Sequence, residues 1–203
     1  MSTSILYIHG FNSSPASTKA RQLGSLVDAL GLADALRVPA LDNHPREALQ
    51  QLEREVAQLD RPLLVGSSLG GYYATVLAER HGLRALLINP AVRPWRLFDG
   101  RLGEQHNFHS GERWQLTADH LAALEQMQVA PPDSVSRYQV WLQTGDETLD
   151  YRQAEAFYRN CALRIQAGGD HGFQGFVERL PALLLFAGID PRCWQDFDFS
   201  TLN

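Results

Sequence analysis

Gly66-Ser67-Ser68-Leu69-Gly70 sets a serine between two glycines, where the apolar run Leu63-Leu64-Val65 gives way to a helical pattern through Tyr72, Tyr73, Val76 and Leu77. A serine at a sharp strand-to-helix turn needs a strained backbone. Glycines two residues to either side let neighbouring chain approach without a Cβ clash. Its Oγ would then stand clear of a sheet, beside the unpaired N–H groups of a helix N-terminus. A serine hydroxyl is a poor nucleophile at neutral pH and needs a base within hydrogen-bond reach. Imidazole titrates in the right range, and of the seven histidines His171, in Gly168-Gly169-Asp170-His171-Gly172, is best placed. A carboxylate must orient that ring, and Asp146 follows Gly145 at the end of an apolar run. Glu147 and Asp150 compete with it, Asp150 being suited to cap a helix at Tyr151, while Asp170 reads as a turn former. Acyl transfer puts negative charge on a carbonyl oxygen. Two fixed N–H donors are therefore expected, from Leu69 after the serine and from Phe11 in His9-Gly10-Phe11-Asn12, with His9 bracing that loop. Taken alone, the five-residue motif also describes a glycine-rich turn, and a loop histidine is ordinarily a solvated one.

The elements that must position these groups alternate along the chain. Ile5 to His9 reads as a buried strand, because four apolar residues run without alternation. Ser13, Ser14 and Ser17 offer caps, Pro15 suits a first helical turn, and Leu23, Leu26, Val27 and Leu30 follow at helical spacing to Gly31. A weaker strand, Leu36 to Ala40, precedes an amphipathic helix from Pro45 to Leu59. The Leu63–Val65 strand and a helix from Leu69 to Arg80 come next, then a strand from Arg84 to Ile88 ending at Asn89-Pro90. From about residue 92 to 136 the rhythm breaks, save for a helical patch from Thr117 to Met127, with Thr117 as its cap. This stretch is expected to be an insertion forming a small cap or lid, and Trp95, Phe98, Phe108 and Trp114 suggest an apolar wall or plain packing. A strand from Tyr138 to Leu142, a helix from Tyr151 to Asn160, a strand from Leu163 to Gln166 and a helix from Phe176 to Phe186 complete the pattern. Strands alternating with helices imply right-handed βαβ units and a mostly parallel sheet of about six strands, covered on both faces. Serine, aspartate and histidine then all follow strand C-termini, the rim where open parallel sheets bind ligands. The tail after Gly188, with Trp194, Phe197 and Phe199, suits packing on the body or on a partner.

Composition narrows the class. The 203 residues suit one domain, and 44% apolar and 20% charged residues are those of an ordinary globular chain. A net charge of −5, with no Lys/Arg cluster, argues against nucleic acid as a partner. Cys161 and Cys193 sit in no metal or redox spacing, so a reducing compartment is expected. Met1-Ser2-Thr3-Ser4 lacks a basic leader and no apolar run would span a bilayer, which points to the cytoplasm. His106, His109 and His120 lie close together, yet no His-Glu-x-x-His or Cys/His spacing supports a metal. Gly66 to Gly71 lacks the lysine of a phosphate-binding loop, so no cofactor is expected.

Longer stretches carry a family likeness. His9-Gly10-Phe11-Asn12-Ser13-Ser14-Pro15, Gly66 through Thr75, Asn89-Pro90-Ala91-Val92-Arg93-Pro94, Gln143-Thr144-Gly145-Asp146-Glu147 with Leu149-Asp150-Tyr151-Arg152, and Gly168-Gly169-Asp170-His171 span the chain from Ile5 to about Gly188. On these the chain resembles the YqiA/YcfP-type (UPF0227) small bacterial esterases of the α/β-hydrolase superfamily. It departs from them at Asp170 and in the tail. The resemblance implies a compact α/β-hydrolase fold that starts at the oxyanion-loop strand. It further implies Ser68, Asp146 and His171 as a triad acting on carboxylic esters or acyl-thioesters. The alternative is a binding protein that keeps the fold without the chemistry. Acyl chain, leaving group and oligomeric state are not written in these motifs.

Overall fold

A computed structural model describes residues 4–98, 100–107 and 109–202. Phe108 and Met1–Thr3, which enter the sequence reading, lie outside these residues. The chain runs β1 (Ile5–Ile8), α1 (Thr18–Ala29), β2 (Leu36–Arg37), α2 (Pro45–Gln58), β3 (Leu63–Ser67), α3 (Leu69–His81), β4 (Ala85–Ile88) and α4 (Pro94–Leu97). It continues through β5 (Gly103–His106), β6 (Arg113–Leu116), α5 (Ala118–Gln126), β7 (Tyr138–Gln143), α6 (Tyr151–Phe157), β8 (Ala162–Gln166) and α7 (Phe176–Ala187). Six strands form one sheet in the order β2-β1-β3-β4-β7-β8, and every pairing in it is parallel.

The continuous apolar strands divide their side chains between two cores, because successive residues point to opposite faces. Ile5, Tyr7, Val65, Leu86, Ile88 and Trp141 pack under α1 and α7. Leu6, Ile8, Leu64, Leu87 and Val140 pack under α2, α3 and α6. The chain leaves β1 for β2 on one side and returns to β3 on the other, so the strand order reverses between β1 and β3. That reversal opens a crevice at their C-terminal ends, where the Gly10 loop and Ser68 both lie.

Several elements differ from expectation for identifiable reasons. Pairing in β2 stops at Arg37 rather than Ala40; Pro39 has no N–H to give the ladder. Helix α1 starts at Thr18, not at Pro15, because Ser14 Oγ accepts from Ala16 N and Ser14 O from Ser17 N, folding Pro15 into a preceding turn. Helix α6 ends at Phe157, short of Asn160, and Tyr158 turns inward to bond Thr75 Oγ1 at 2.8 Å. Between residues 94 and 126 the helical patch is present as α5, but an antiparallel β5–β6 hairpin also forms there. The C-terminal tail lies on the body: Trp194 is buried and Phe197, Phe199 and Leu202 pack on the α1/α7 core. No helix among the described residues is long and apolar enough to cross a membrane.

Candidate active site

Ser68 occupies the turn between β3 and α3 with φ 56° and ψ −121°, a conformation costly for a residue with a Cβ. The flanking glycines explain how the chain closes around it. A Cβ on Gly66 would stand 2.4 Å from Gly70 O, and one on Gly70 would stand 2.0 Å from Ile8 O. No side chain fits either place, so β1, β3 and the start of α3 approach through bare backbone. Ser68 N donates to Ile88 O and Ser68 O accepts from Ala91 N, each at 3.0 Å, which fixes the strained residue from both sides.

The two other groups named from sequence meet it. Ser68 Oγ lies 3.0 Å from His171 Nε2, and His171 Nδ1 lies 2.9 and 3.0 Å from the two Asp146 carboxylate oxygens. Asp146 is almost wholly buried, its side chain 2% exposed. Its Oδ1 also accepts from Thr148 N at 2.9 Å and Leu149 N at 2.8 Å, so the charge is met by three N–H donors rather than left bare. Of the competitors, Asp150 caps α6 and accepts from Arg152 N, while Glu147 Oε2 accepts from His171 N at 3.0 Å. Asp170 takes the turn role: its carbonyl accepts from Phe173 N.

The expected N–H donors flank the serine. Leu69 N belongs to the first residue of α3, where an N–H has no partner within the helix. Neither it nor Phe11 N donates to an acceptor among the described residues. Gly10 lets the Phe11 loop come close, since a Cβ there would lie 3.2 Å from Ser68 Cβ. Asn12, at φ 48°, holds the loop by accepting from Trp114 Nε1 at 2.9 Å. His9 is buried, with Nδ1 donating to Gly10 O at 3.0 Å, and burial keeps its imidazole below the ordinary range. Next to Gly10, Phe11 and Leu69 opens a cavity of about 150 Å³, walled further by Tyr73, Phe98 and Trp114. Trp95 packs on Tyr72 instead and does not line it. His120 lies between His44 and Trp114, its ring tilted to both. Among the described residues no three His, Cys, Asp or Glu side chains stand together as a metal-ligand set.

Residues 4–188 match the profile of a family described as "Uncharacterised protein family (UPF0227)". The chain belongs to that family. UPF0227 proteins of Shewanella sediminis and Citrobacter koseri are 34% and 30% identical to it over 112 residues. Those stretches cover 51% of this chain and 60% and 59% of theirs, so the match spans less than two thirds of either relative. The fold is that of α/β-hydrolases. Est1E from Butyrivibrio proteoclasticus, solved with ferulic acid, superposes with a TM-score of 0.66 at 17% identity, covering 89% of this chain and 85% of that one. The mouse alpha/beta hydrolase domain-containing protein 10 gives 0.65 at 15% identity, covering 95% and 90%.

Three further side chains of this UPF0227 protein brace the His171 loop, and motif reasoning assigned them nothing. Asn89, buried at the end of β4 with φ 40°, donates to Asp170 O at 3.0 Å and accepts from Gln143 N at 3.0 Å. Gln143, fully buried at the end of β7, accepts from Asp170 N and Gln174 N and donates to Gln174 O at 2.7 Å. Lys19 Nζ donates to Gly172 O at 2.8 Å; burial lowers its pKa, an effect opposed by Asp170 and Asp146. For Asn89 and Gln143 the one sequence signal was a polar residue at the end of a mostly apolar strand; Lys19, in α1, had none.

Proposed function

We propose that this protein is a serine hydrolase that cleaves carboxylic esters or acyl-thioesters through an acyl-enzyme. Ser68 Oγ attacks the carbonyl carbon as His171 Nε2 takes its proton. Asp146 holds the ring with Nδ1–H toward itself and stabilises the imidazolium that forms. The N–H groups of Phe11 and Leu69 receive the oxyanion, each donor being worth on the order of 10²–10³ in rate. Collapse of the tetrahedral adduct breaks the bond to the alcohol or thiol, which leaves with the proton from Nε2. Water then repeats the sequence on the acyl-Ser68 ester, releasing the acid and restoring the serine. The segment from about 92 to 136 serves as a cap beside this centre.

The observation that carries the reading is the continuous line of hydrogen bonds from Asp146 through His171 to a serine held at positive φ. A solvated loop histidine would have no reason to meet both. The test is rapid-mixing hydrolysis of a p-nitrophenyl ester together with labelling by a fluorophosphonate. A burst of p-nitrophenolate, with label on Ser68 that is lost in Ser68→Ala, is the expected result. Absence of both burst and label, or full activity in Ser68→Ala, would leave a binding protein that keeps the fold.

A further inference from the structure

We infer that the cavity beside the Phe11 loop is an acyl pocket, and that the acyl group it selects is uncharged and short or aromatic. This rests on the serine-hydrolase reading and adds the substrate class to it.

Position decides which half of the substrate enters. The leaving group must lie where His171 Nε2 can protonate it. The cavity is lined by Gly10, Phe11 and Leu69 but by neither Ser68 nor His171, so it opens beside the two N–H groups and next to the serine rather than at the imidazole. A carbonyl oxygen directed at the Phe11 and Leu69 N–H groups therefore has the cavity on its side away from His171, and the substituent directed there is the acyl chain.

Size decides its length. At about 150 Å³ the space is comparable to an apolar cavity that holds benzene, so it takes about six carbon atoms. The walls suit a ring or a short branched chain. Phe11 sits 4.4 Å from Phe98 and 5.6 Å from Trp114, centroid to centroid, and Leu116 and Leu124 are buried alongside. Charge decides the rest. Asp42 and Glu112 line the space; its basic groups among the described residues are His9 and His120, whose pKa values burial lowers, and no lysine or arginine lines it, so a carboxylate on the acyl chain meets two carboxylates and no permanent cation.

The experiment is kcat/KM for p-nitrophenyl esters with acyl chains of two, four, six, eight and twelve carbons, with the benzoate and the hemisuccinate. Fluorophosphonate labelling of Ser68 is run in parallel. Rates should rise about threefold to fourfold per added methylene up to four to six carbons, the equivalent of about 0.8 kcal/mol each. They should then fall at least tenfold by twelve carbons. The benzoate should rank with the short chains, and the hemisuccinate should fall well below the butyrate. Leu116→Ala should move the optimum to longer chains and Leu116→Phe to shorter ones. A flat profile, an optimum at twelve carbons, or preference for the hemisuccinate would overturn the pocket while labelling of Ser68 left the hydrolase reading standing. Absence of both hydrolysis and labelling would defeat the hydrolase reading itself. If the Leu116 variants do not fold, the wild-type profile alone decides.

Discussion

Replacing Gln143 with glutamate tests the brace behind His171, because it changes one donor into a titratable group. Gln143 is fully buried; Oε1 accepts from Asp170 N at 3.1 Å and Gln174 N at 2.9 Å, and Nε2 donates to Gln174 O at 2.7 Å. In Gln143→Glu one carboxyl oxygen inherits both N–H groups. The other faces the Gln174 carbonyl and can bond it only while protonated. The two N–H donors lower the native pKa, but full burial and that carbonyl raise it and outweigh them, so it lies above the unfolded value of about 4.3; buried carboxyls have reached about 8–9. The sign follows: the native state holds the proton more tightly, so stability is retained below about pH 4.3 and lost as pH rises toward the native pKa. Between the two pKa values the slope approaches about 1.4 kcal/mol per pH unit, which amounts to at most about 2.7 kcal/mol between pH 5 and pH 7. Urea unfolding of Gln143→Glu and wild type at pH 5, 6, 7 and 8 measures the difference, which should widen with pH. Gln143→Leu, which leaves the same backbone groups unmet at every pH, should show a penalty of about 2–4 kcal/mol without that slope. In Gln143→Glu, kcat should fall with the same pH dependence, since the loop that aims His171 at Ser68 is what loosens. A constant difference between the glutamate variant and wild type from pH 5 to 8 would refute the reasoning.

Other perturbations separate neighbouring residues by role. Asp146→Asn should lower kcat by about 10⁴ by favouring the wrong His171 tautomer, whereas Asp150→Ala should cost only some thermal stability and leave hydrolysis unchanged; comparing p-nitrophenyl ester turnover in the two decides the acid. Gly70→Ala should fail to give folded protein by circular dichroism, since its Cβ would lie 2.0 Å from the Ile8 carbonyl and both atoms belong to packed backbone. Trp114→Phe keeps the ring contact with Phe11 but frees Asn12 Oδ1; kcat should drop several-fold with the melting temperature nearly unmoved. Burial holds the His9 pKa below its ordinary value in the native state. Its contribution to stability is therefore present above about pH 6.5 and lost on acidification, and His9→Gln should flatten that part of the stability-against-pH curve in thermal melts.

What the sequence made legible was whatever one element decides by itself. The strands at Ile5, Leu63 and Ala85 are apolar on both faces, which only a covered parallel sheet accommodates, and α1, α2 and α7 declare themselves by one buried stripe. Ser68, Asp146 and His171 were visible for a related reason, since each lies within a few residues after the C-terminal end of a strand and so is carried to the same rim. The β5–β6 hairpin was not legible. Its first strand, Gly103–His106, has no apolar side chain, and its second, Arg113–Leu116, alternates for only four residues, too short a run to declare a strand by itself. Its place depends instead on remote groups: Asn107 Nδ2 reaches Ser13 O, and Trp114 Nε1 reaches Asn12.

The same limit explains why Asn89 and Gln143, though part of the stretches that carry the family likeness, were given no role. An asparagine before proline reads as a turn, and a glutamine at a strand end reads as an exposed terminus. Both amides are in fact buried, and their partners lie on the His171 loop, 81 residues beyond Asn89 and 31 beyond Gln143 at its far end. A side chain's bonding to distant backbone has no period for a sequence to display. The constraint is physical nonetheless. A loop that must hold His171 between a carboxylate and a strained serine exposes N–H and C=O groups to a dry sheet edge, and those groups require polar partners. Given the His171 loop, the need for buried amides at the ends of β4 and β7 follows from hydrogen-bond satisfaction, even though their identity does not.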